Sequence, residues 1–252
     1  MTTRRSFLAG SSAIAATALF APAIVRAQEP LAFWGPGATP SVIVAQALAS
    51  GDLADILPGA TFRLSSGAIP ASVVPSYVAA NFYNRGLGVR LLNINTNGLL
   101  NVLSADESLT DIAGLKGKTV GVPFRNDMPD YVLGRLLEKA GLVVGTDITL
   151  EYTATPAEAV QTLLAGRVDA ALITEPASTA AIARSAEAGK PLRRAINVSE
   201  AWTAVSGKPG IPQAGLALTD GLVERIGADG VNAIQAAMEK ALTAVLADPA
   251  AA

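Results

Sequence analysis

Short apolar runs alternate with helical patterns along most of the chain. Strand-length apolar runs predict strands at 31–34, 61–64, 71–74, 89–94, 99–104, 118–122, 148–152 and 170–174. Apolar residues spaced three and four apart predict helices at 41–49, 77–84, 128–140, 156–165 and 176–188, with a turn or short helix at 111–117. Short strands that alternate with helices of about ten residues indicate parallel α/β units.

One segment in the second half of the chain echoes a segment in the first half. Residues 166–176 align without gaps on residues 67–77, and each begins with Gly, continues into a strand and ends in a polar exit. Two similar α/β lobes would explain the echo. Chance similarity between runs rich in alanine and valine is the alternative explanation.

The echo also exposes a difference between the two halves. The predicted strands 148–152 and 170–174 are joined by a full helix, whereas 61–64 and 71–74 are joined by only the six residues 65–70. A parallel crossover takes about a dozen residues. We therefore expect that 61–64 and 71–74 do not both lie in a parallel sheet as their counterparts do. Either 61–64 is not a sheet strand, or the chain lacks a helix of about ten residues.

The first residues have the pattern of an export signal. Residues 3–8, TRRSFL, form a twin-arginine pattern, a weakly apolar stretch follows at 13–25, and Val25-Arg26-Ala27 offers compact residues for cleavage. The apolar stretch is shorter than the roughly 20 residues of a membrane-spanning helix. We predict that residues 1–27 are a twin-arginine signal peptide, with a disordered or anchoring tail as the alternative.

The composition narrows the possible chemistry. The chain has no His and no Cys, which excludes Ser-His-Asp triads, Cys-His dyads, disulfides and the usual zinc sites. Without Arg4, Arg5 and Arg26, the 19 cations fall to 16 against 21 acidic residues, a net charge of −5. Such a mildly acidic chain without a basic stripe is not typical of nucleic-acid binding. Catalysis by carboxylates stays open, although no catalytic pair is evident.

The turn GVPFRNDMPD, residues 121–130, joins a predicted strand to a predicted helix. Ligands in open α/β sheets bind beyond the carboxyl ends of strands, and the N–H groups at a helix start attract anions. Arg125 could bind a carboxylate, sulfonate or phosphate through two hydrogen bonds, and Phe124 could form an apolar wall. Alternatively, Asp127 caps the helix with Asp130 bonding back to the cap, Phe124 packs within its lobe, and Arg125 is a solvated charge.

Other strand exits add polar or aromatic candidates at the same edge. The predicted ligand-binding residues are Trp34, Gly35, Ser76, Tyr77, Asn95, Thr96, Phe124, Arg125, Asn126, Asp127, Thr174 and Glu175. Trp34 would stack on a ligand or cover the core, and Ser76 would bind a ligand or cap its helix. Asn95 and Thr96 lie where hinge and ligand roles overlap. Glu175 would cap its helix, face a cationic group or pair with Arg125.

Several motifs occur in an order that resembles a known family. They are the export signal, VPSYVAAN at 74–81, LKGKTVGVP at 115–123, LAGRVDAALITEP at 164–176 and IPQAG at 211–215. Together they are similar to periplasmic solute-binding proteins of ABC transporters, of the nitrate/sulfonate/taurine and thiamine-precursor-like class. The resemblance extends over most of residues 1–246.

The resemblance implies a two-lobed periplasmic binding protein of type 2, with mostly parallel sheets and a ligand cleft between the lobes. The first lobe would comprise 28–97 and 215–252, and the second 98–214, with crossings near 95–103 and 213–219. The chain departs from the family pattern in two places. The helix before Gly67 is missing, and the chain ends at Ala252 where relatives continue with further helices, so the first lobe is expected to be incomplete.

The resemblance also implies a function. We expect an exported, periplasmic substrate-binding component of an ABC importer, which captures a small polar, anionic or heteroaromatic solute and closes by hinge motion. Its partners would be the solute and an inner-membrane permease, and we expect a monomer with no metal, no cofactor and no enzymatic activity. The alternatives are an enzyme on the same fold that uses Asp127 or Glu175, and a truncated member with impaired binding. The form of the enzyme that performs pyrimidine synthesis relies on His, which this chain lacks.

Overall fold

The computed structural model describes residues 31–35, 39–64 and 70–249, so the predicted signal peptide lies outside the described residues. The strands are β1 Ala32–Gly35, β2 Thr61–Leu64, β3 Ala71–Pro75, β4 Val89–Leu91, β5 Thr96–Asn97, β6 Leu100–Ser104, β7 Thr119–Pro123, β8 Thr149–Thr153, β9 Ala170–Thr174, β10 Arg193–Asn197 and β11 Pro212–Thr219. The α-helices are α1 Thr39–Ala49, α2 Ser76–Asn84, α3 Met128–Lys139, α4 Pro156–Leu164, α5 Ala177–Glu187, α6 Val198–Ser206 and α7 Asp220–Ala247. A short 3-10 helix spans Ala113–Leu115.

The strands form two sheets with the same internal order. The first sheet is ordered β2-β1-β3-β11-β4, and β5 pairs with β11 beside this path. The second sheet, read from its opposite edge, is β8-β7-β9-β6-β10. In each sheet one strand is reversed, β11 in the first and β6 in the second, while the other strands run in a common direction. We call the first sheet with α1, α2 and α7 the first lobe, and the second sheet with α3 to α6 the second lobe.

The equal strand order supports the echo seen in the sequence, because β3 and β9 occupy corresponding places in the two sheets. The expectation that 61–64 and 71–74 cannot both join a parallel sheet is wrong. Both strands pair with β1 in parallel, one on each side of it. Leu64 and Ala71 are seven residues apart, and a chain of that length spans at most about 23 Å at ~3.3 Å per residue. This length is enough to lead from the end of β2, past β1, to the beginning of β3. The link 65–70 is nevertheless too short for a counterpart of α4, which has nine residues.

The chain passes between the sheets at two neighbouring crossings. Residues Asn97 and Thr96 of β5 pair with the beginning of β11, and the N–H of Gly98 donates to the carbonyl of Ile211 at 3.1 Å. Gly98 has a φ of 73°, and a Cβ there would lie 1.5 Å from Oγ of Ser199. Only glycine meets both conditions, since it has no Cβ and tolerates positive φ.

Each lobe has its own apolar core. In the first lobe, Phe33 of β1 and Leu216 of β11 pack with the facing sides of α1 and α7. The second sheet is covered on both faces: α3 packs against the face of Val102 and Leu172, while α4 and α5 pack against the face of Leu103. Because β6 is covered on both faces, all five of its residues are buried, including the polar Asn101 and Ser104.

The last helix is broken. Gly227 in α7 has a φ of 66° and a ψ of −178°, so the helix is interrupted there and continues in a second piece. Among the residues that the structure describes, no helix is both long and apolar enough to cross a membrane.

Candidate functional site

The two lobes touch where the carboxyl ends of β3 and β7 lead into α2 and α3. The hydroxyl of Tyr77, in the first turn of α2, donates to Oδ1 of Asp127 at 2.6 Å. The ring of Tyr77 also meets that of Tyr131 edge to face, with centroids 6.3 Å apart and an interplanar angle of 89°. Two predicted site residues from different lobes are therefore in direct contact beyond the carboxyl ends of β3 and β7.

Asp127 is the N-cap of α3, as one of the two interpretations of this residue predicts. Its Oδ1 accepts the N–H of Met128 at 2.6 Å. Asp130 also bonds back, but its Oδ2 accepts the N–H of Asn126 at 2.9 Å, one residue before the cap. Because these carboxylates occupy the N–H groups of Asn126 and Met128, those two groups are not free for an anionic ligand.

The turn before α3 is strained on both sides of Arg125. Phe124 and Asn126 each have a φ of 60°, a left-handed conformation that is uncommon outside glycine. The turn is held by the N–H of Phe124, which donates to the carbonyl of Thr153 at 3.1 Å, and by the N–H of Asp127, which donates to the carbonyl of Phe124 at 3.1 Å. Such strain is typical of ligand sites, where the surrounding structure fixes an unfavourable backbone.

Arg125 lies over an aromatic ring of its own lobe. The guanidinium carbon is 4.9 Å from the centroid of the Tyr152 ring, a cation–π geometry. Burial raises the pKa of the Tyr152 hydroxyl, and its hydrogen bond to Asp130 raises it further. In the described part of the chain Arg125 makes no ion pair, and its side chain is exposed. Its planar set of N–H donors is therefore open to an anion.

Glu175 is paired inside the second lobe. Its Oε1 accepts from Nη2 of Arg194 at 2.6 Å and from Nδ2 of Asn101 at 3.2 Å. Its Oε2 accepts the N–H of Thr179 at 3.1 Å in the first turn of α5. Burial alone would raise the pKa of Glu175, but the bonds from Arg194 and Thr179 outweigh it and lower the pKa. Of the open interpretations, Glu175 bonds its helix and pairs with Arg194, not with Arg125.

Three other predicted site residues make hydrogen bonds within the crossing segments or between them and the neighbouring helices. Ser76 donates through Oγ to the carbonyl of Pro212, at 2.5 Å, and does not cap α2. Asn95 donates through Nδ2 to the carbonyl of Pro40 at 3.0 Å, and Thr96 donates to Oδ1 of Asn95 at 3.1 Å. These bonds join α1 and α2 to the crossing segments, where hinge and ligand roles were both expected.

The remaining predicted residues lie at the ends of their strands. Trp34 is half-buried and Gly35 is buried at the end of β1, and the following residues 36–38 lie outside the described part. Thr174 is half-buried at the end of β9, where it lies opposite Leu100 in the sheet. All three therefore lie at or next to the carboxyl ends of their strands.

Sequence reasoning missed several residues of this region. Tyr152 is near the end of β8, so the rule of strand exits applied to 148–152 could have found it. Tyr131 lies one turn into α3, and Arg194 reaches Glu175 from β10, which no local pattern brings together. Among the residues described here, no group of three acidic side chains is placed to hold a metal ion.

Comparisons with known proteins agree with this architecture. The model of the NMT1-like family matches residues 36–225. The periplasmic aliphatic sulphonate binding protein SsuA from Escherichia coli has 19% identity and a TM-score of 0.67, over 87% of this chain and 74% of that chain. No protein of the curated set matches the sequence.

Two further solved structures are similar. The alkanesulfonate-binding protein SsuA from Xanthomonas axonopodis pv. citri, bound to MOPS, has 18% identity and a TM-score of 0.61, over 88% of this chain and 75% of that chain. The periplasmic nitrate-binding protein NrtA from Synechocystis PCC 6803 has 12% identity and a TM-score of 0.60, over 84% of this chain and 60% of that chain. The fold of periplasmic binding proteins, expected from the motifs, is thereby confirmed.

Proposed function

The chain belongs to the NMT1-like family, and from this premise and its two-lobed fold we propose that it is the substrate-binding component of an ABC importer. It captures a small anionic solute in the cleft between its lobes. Fold alone does not define function, so the proposal depends on the side chains at the cleft.

The observation that carries the proposal is the charge balance at the contact between the lobes. Arg125 lies over Tyr152 without an ion pair among the described residues. The carboxylates of the predicted site have protein partners: Asp127 binds Tyr77, and Glu175 binds Arg194. A solute anion would meet an unneutralised guanidinium, whereas a solute cation would have to compete with hydrogen bonds that already exist.

Aromatic side chains around Arg125 favour a solute that also has an apolar or heteroaromatic part. Phe124 is 40% exposed and Tyr131 is 56% exposed, beside the strained turn. Exposed aromatic rings beside a cation would be able to cover the non-polar part of a ligand. The similar structures named for sulphonates and nitrate are consistent with an anionic solute.

Binding would be coupled to movement of the lobes about the crossings of β5 and β11. A solute that contacts both lobes stabilises the arrangement in which they are close, and its differential affinity sets the shift in population. This process requires no chemical step. In the enzyme alternative, the lowered pKa of Glu175 disfavours only a role for this residue as a general acid near neutral pH.

The location and partners follow from the same proposal. The signal in residues 1–27 would direct export through the twin-arginine pathway to the periplasm, and a monomer would deliver solute to an inner-membrane permease. We propose residues 28–97 and 215–252 as the first lobe and 98–214 as the second, with the first residues of β11, 212–214, belonging to the return crossing.

Thermal unfolding of the purified protein tests the proposal. Candidate solutes are alkanesulfonates, nitrate, aromatic carboxylates and pyrimidines, with alkylamines as cationic controls. A solute that binds the native protein stabilises it by about 2.7 kcal/mol at 100 times Kd. We expect anions to raise the midpoint and amines to leave it unchanged. A shift by amines and not by anions would refute the anionic assignment, and a protein without a cooperative transition would favour the binding-impaired alternative.

A further inference from the structure

We propose that the hydrogen bond from Tyr77 to Asp127 is a latch that holds the two lobes together, so that the chain's own groups set part of the closing equilibrium. This latch rests on the proposed function in that it regulates the cleft in which solute would bind. Its parts belong to different lobes: Tyr77 is in α2 after β3, and Asp127 caps α3 after β7.

The geometry of the bond is that of a strong donor–acceptor pair. The hydroxyl of Tyr77 lies 2.6 Å from Oδ1 of Asp127, within the range for a hydroxyl and a carboxylate. Burial raises the pKa of Tyr77, and the hydrogen bond to Asp127 raises it further, so the hydroxyl keeps its proton. The edge-to-face contact of the Tyr77 and Tyr131 rings adds an apolar component across the same gap.

Both ends of the latch are fixed to rigid structure. Ser76, next to Tyr77, donates to the carbonyl of Pro212 in β11. Asp127 is held as the cap of α3, where its Oδ1 also accepts the N–H of Met128 at 2.6 Å. Because neither end can follow the other freely, a change in the angle between the lobes must break or stretch the Tyr77–Asp127 bond.

The latch makes a prediction that a direct ligand contact would not make. If solute binds the closed arrangement, its apparent affinity falls in proportion to the closed fraction. Loss of the Tyr77 hydroxyl should therefore weaken binding of every solute by one common factor, about three- to tenfold for a single hydrogen bond. A residue that only contacts solute would instead change affinities by amounts that depend on solute chemistry.

Distance measurements between the lobes test the latch without any solute. The chain has no native Cys, so Asn81→Cys in α2 and Lys139→Cys in α3 can carry spin labels at exposed positions. Pulsed electron spin resonance then gives the distribution of distances between the two helices. We expect one dominant short distance in the parent, and a shift toward longer distances in Tyr77→Phe.

Matched variants distinguish loss of the Tyr77–Asp127 hydrogen bond from non-specific effects of mutation on the fold. Tyr83→Phe removes a hydroxyl from the same helix at a side chain that is 70% exposed, and should leave the distances unchanged. Asp127→Asn can still cap α3 and accept from Tyr77, so it should retain the short distance, whereas Asp127→Ala should lengthen it. Circular dichroism confirms that each variant is folded.

The distance measurements and the binding measurements test the latch and the proposed function separately. Equal distance distributions for Tyr77→Phe, Asp127→Ala and the Tyr83→Phe control would overturn the latch. Failure of every solute to bind would refute the proposed function but would leave the distance result readable, so the two failures are distinguishable.

Discussion

The guanidinium of Arg125 and the ring of Tyr152 form a stacked pair, with the guanidinium carbon 4.9 Å from the ring centroid. The hydroxyl of Tyr152 donates to Oδ1 of Asp130 at 3.0 Å, and Oδ2 of the same carboxylate accepts the N–H of Asn126 at 2.9 Å. One carboxylate therefore orients both the ring beneath the guanidinium and the strained turn that carries it. This preorganisation lowers the cost of ordering Arg125 when an anion binds.

Replacing Arg125 should remove the main attraction for an anion. We expect Arg125→Ala to weaken anion binding by roughly 10- to 100-fold, the effect of losing hydrogen bonds to a charged group. The free energy of unfolding should change by less than about 1 kcal/mol, because the cation–π contact is exposed. Calorimetric titration gives the affinity, and Arg184→Ala, an exposed arginine of α5, is the control. Equal affinities for the two variants would exclude Arg125 from the site.

Removing the Tyr152 hydroxyl should loosen the turn while keeping the ring. We expect Tyr152→Phe to lower the free energy of unfolding by about 1 kcal/mol, because Asp130 loses one donor. Anion affinity should fall less than in Arg125→Ala, since the cation and its aromatic support remain. Chemical denaturation and titration measure the two effects. A loss of affinity as large as that of Arg125→Ala would mean that the hydroxyl itself contacts solute.

Adding a single methyl group at Gly98, in the crossing between the lobes, should lower the free energy of unfolding strongly. Gly98→Ala places a Cβ where the structure leaves 1.5 Å to Oγ of Ser199, and it does so at a φ of 73°. We expect a loss of at least about 2 kcal/mol of stability from the clash and the backbone strain together. Adding Ser199→Gly to Gly98→Ala should restore the stability that is lost through the clash. The loss that comes from the positive φ at residue 98 should remain.

Replacing Ser199 should affect stability in the opposite direction to replacing Gly98. Oγ of Ser199 is buried without a hydrogen-bond partner among the described residues. We expect Ser199→Ala alone to be neutral or stabilising, since it removes an unpaired buried hydroxyl. A double-mutant cycle of Gly98→Ala and Ser199→Gly, measured by chemical denaturation, gives the coupling free energy between the two positions. Additive effects would contradict the close contact.

Stability should fall in acid because several carboxylates have lowered pKa values. The hydrogen bond from Lys118 lowers the pKa of Asp106, and the bonds of Arg194 and Thr179 lower that of Glu175 against the effect of burial. A carboxylate with a lowered folded pKa stabilises the protein fully above its unfolded pKa, and the contribution is lost as pH falls through the folded pKa. The ordinary values are 3.8 for Asp and 4.5 for Glu.

We therefore expect the free energy of unfolding to be level near neutral pH and to fall progressively below about pH 4.5. Glu175→Gln should be less stable at pH 7 and should show a shallower decline in acid. Urea denaturation at a series of pH values measures both. A decline that is the same in Glu175→Gln as in the parent would remove Glu175 from this explanation.

Much of the fold could be predicted from local pattern. The apolar runs and helix-ending glycines located β6, β7, β9 and α3 closely, because buried strands and amphipathic helices leave regular signals. The sequence also predicts Asp127 as a helix cap, since capping depends on neighbouring residues. The segments β10 and α7 were not predicted. The strand Arg193–Asn197 has a polar sequence that suits the sheet edge, and Gly227 interrupts the helical pattern of α7.

The contacts of the site depended on tertiary structure. Arg194 meets Glu175 because β10 lies beside β6, which lies beside β9. Tyr77 meets Asp127 across fifty residues of chain, because the two lobes face each other. The expectation for 61–64 is wrong for a related reason: β2 and β3 flank β1 with a link of only six residues, shorter than the usual parallel crossover. Such relations follow from topology, which local patterns do not contain.

Two solutes that differ in charge and little else test directly whether the turn at Arg125 binds an anion. Calorimetric titration of the purified protein with butanesulfonate and with butanesulfonamide isolates the anionic group, and Arg125→Ala isolates its partner. We expect the parent to bind the sulfonate at least tenfold more tightly than the sulfonamide, and we expect this preference largely to disappear in Arg125→Ala. Equal binding of both solutes by the parent, or a preference that persists in Arg125→Ala, would contradict an anion site at this turn.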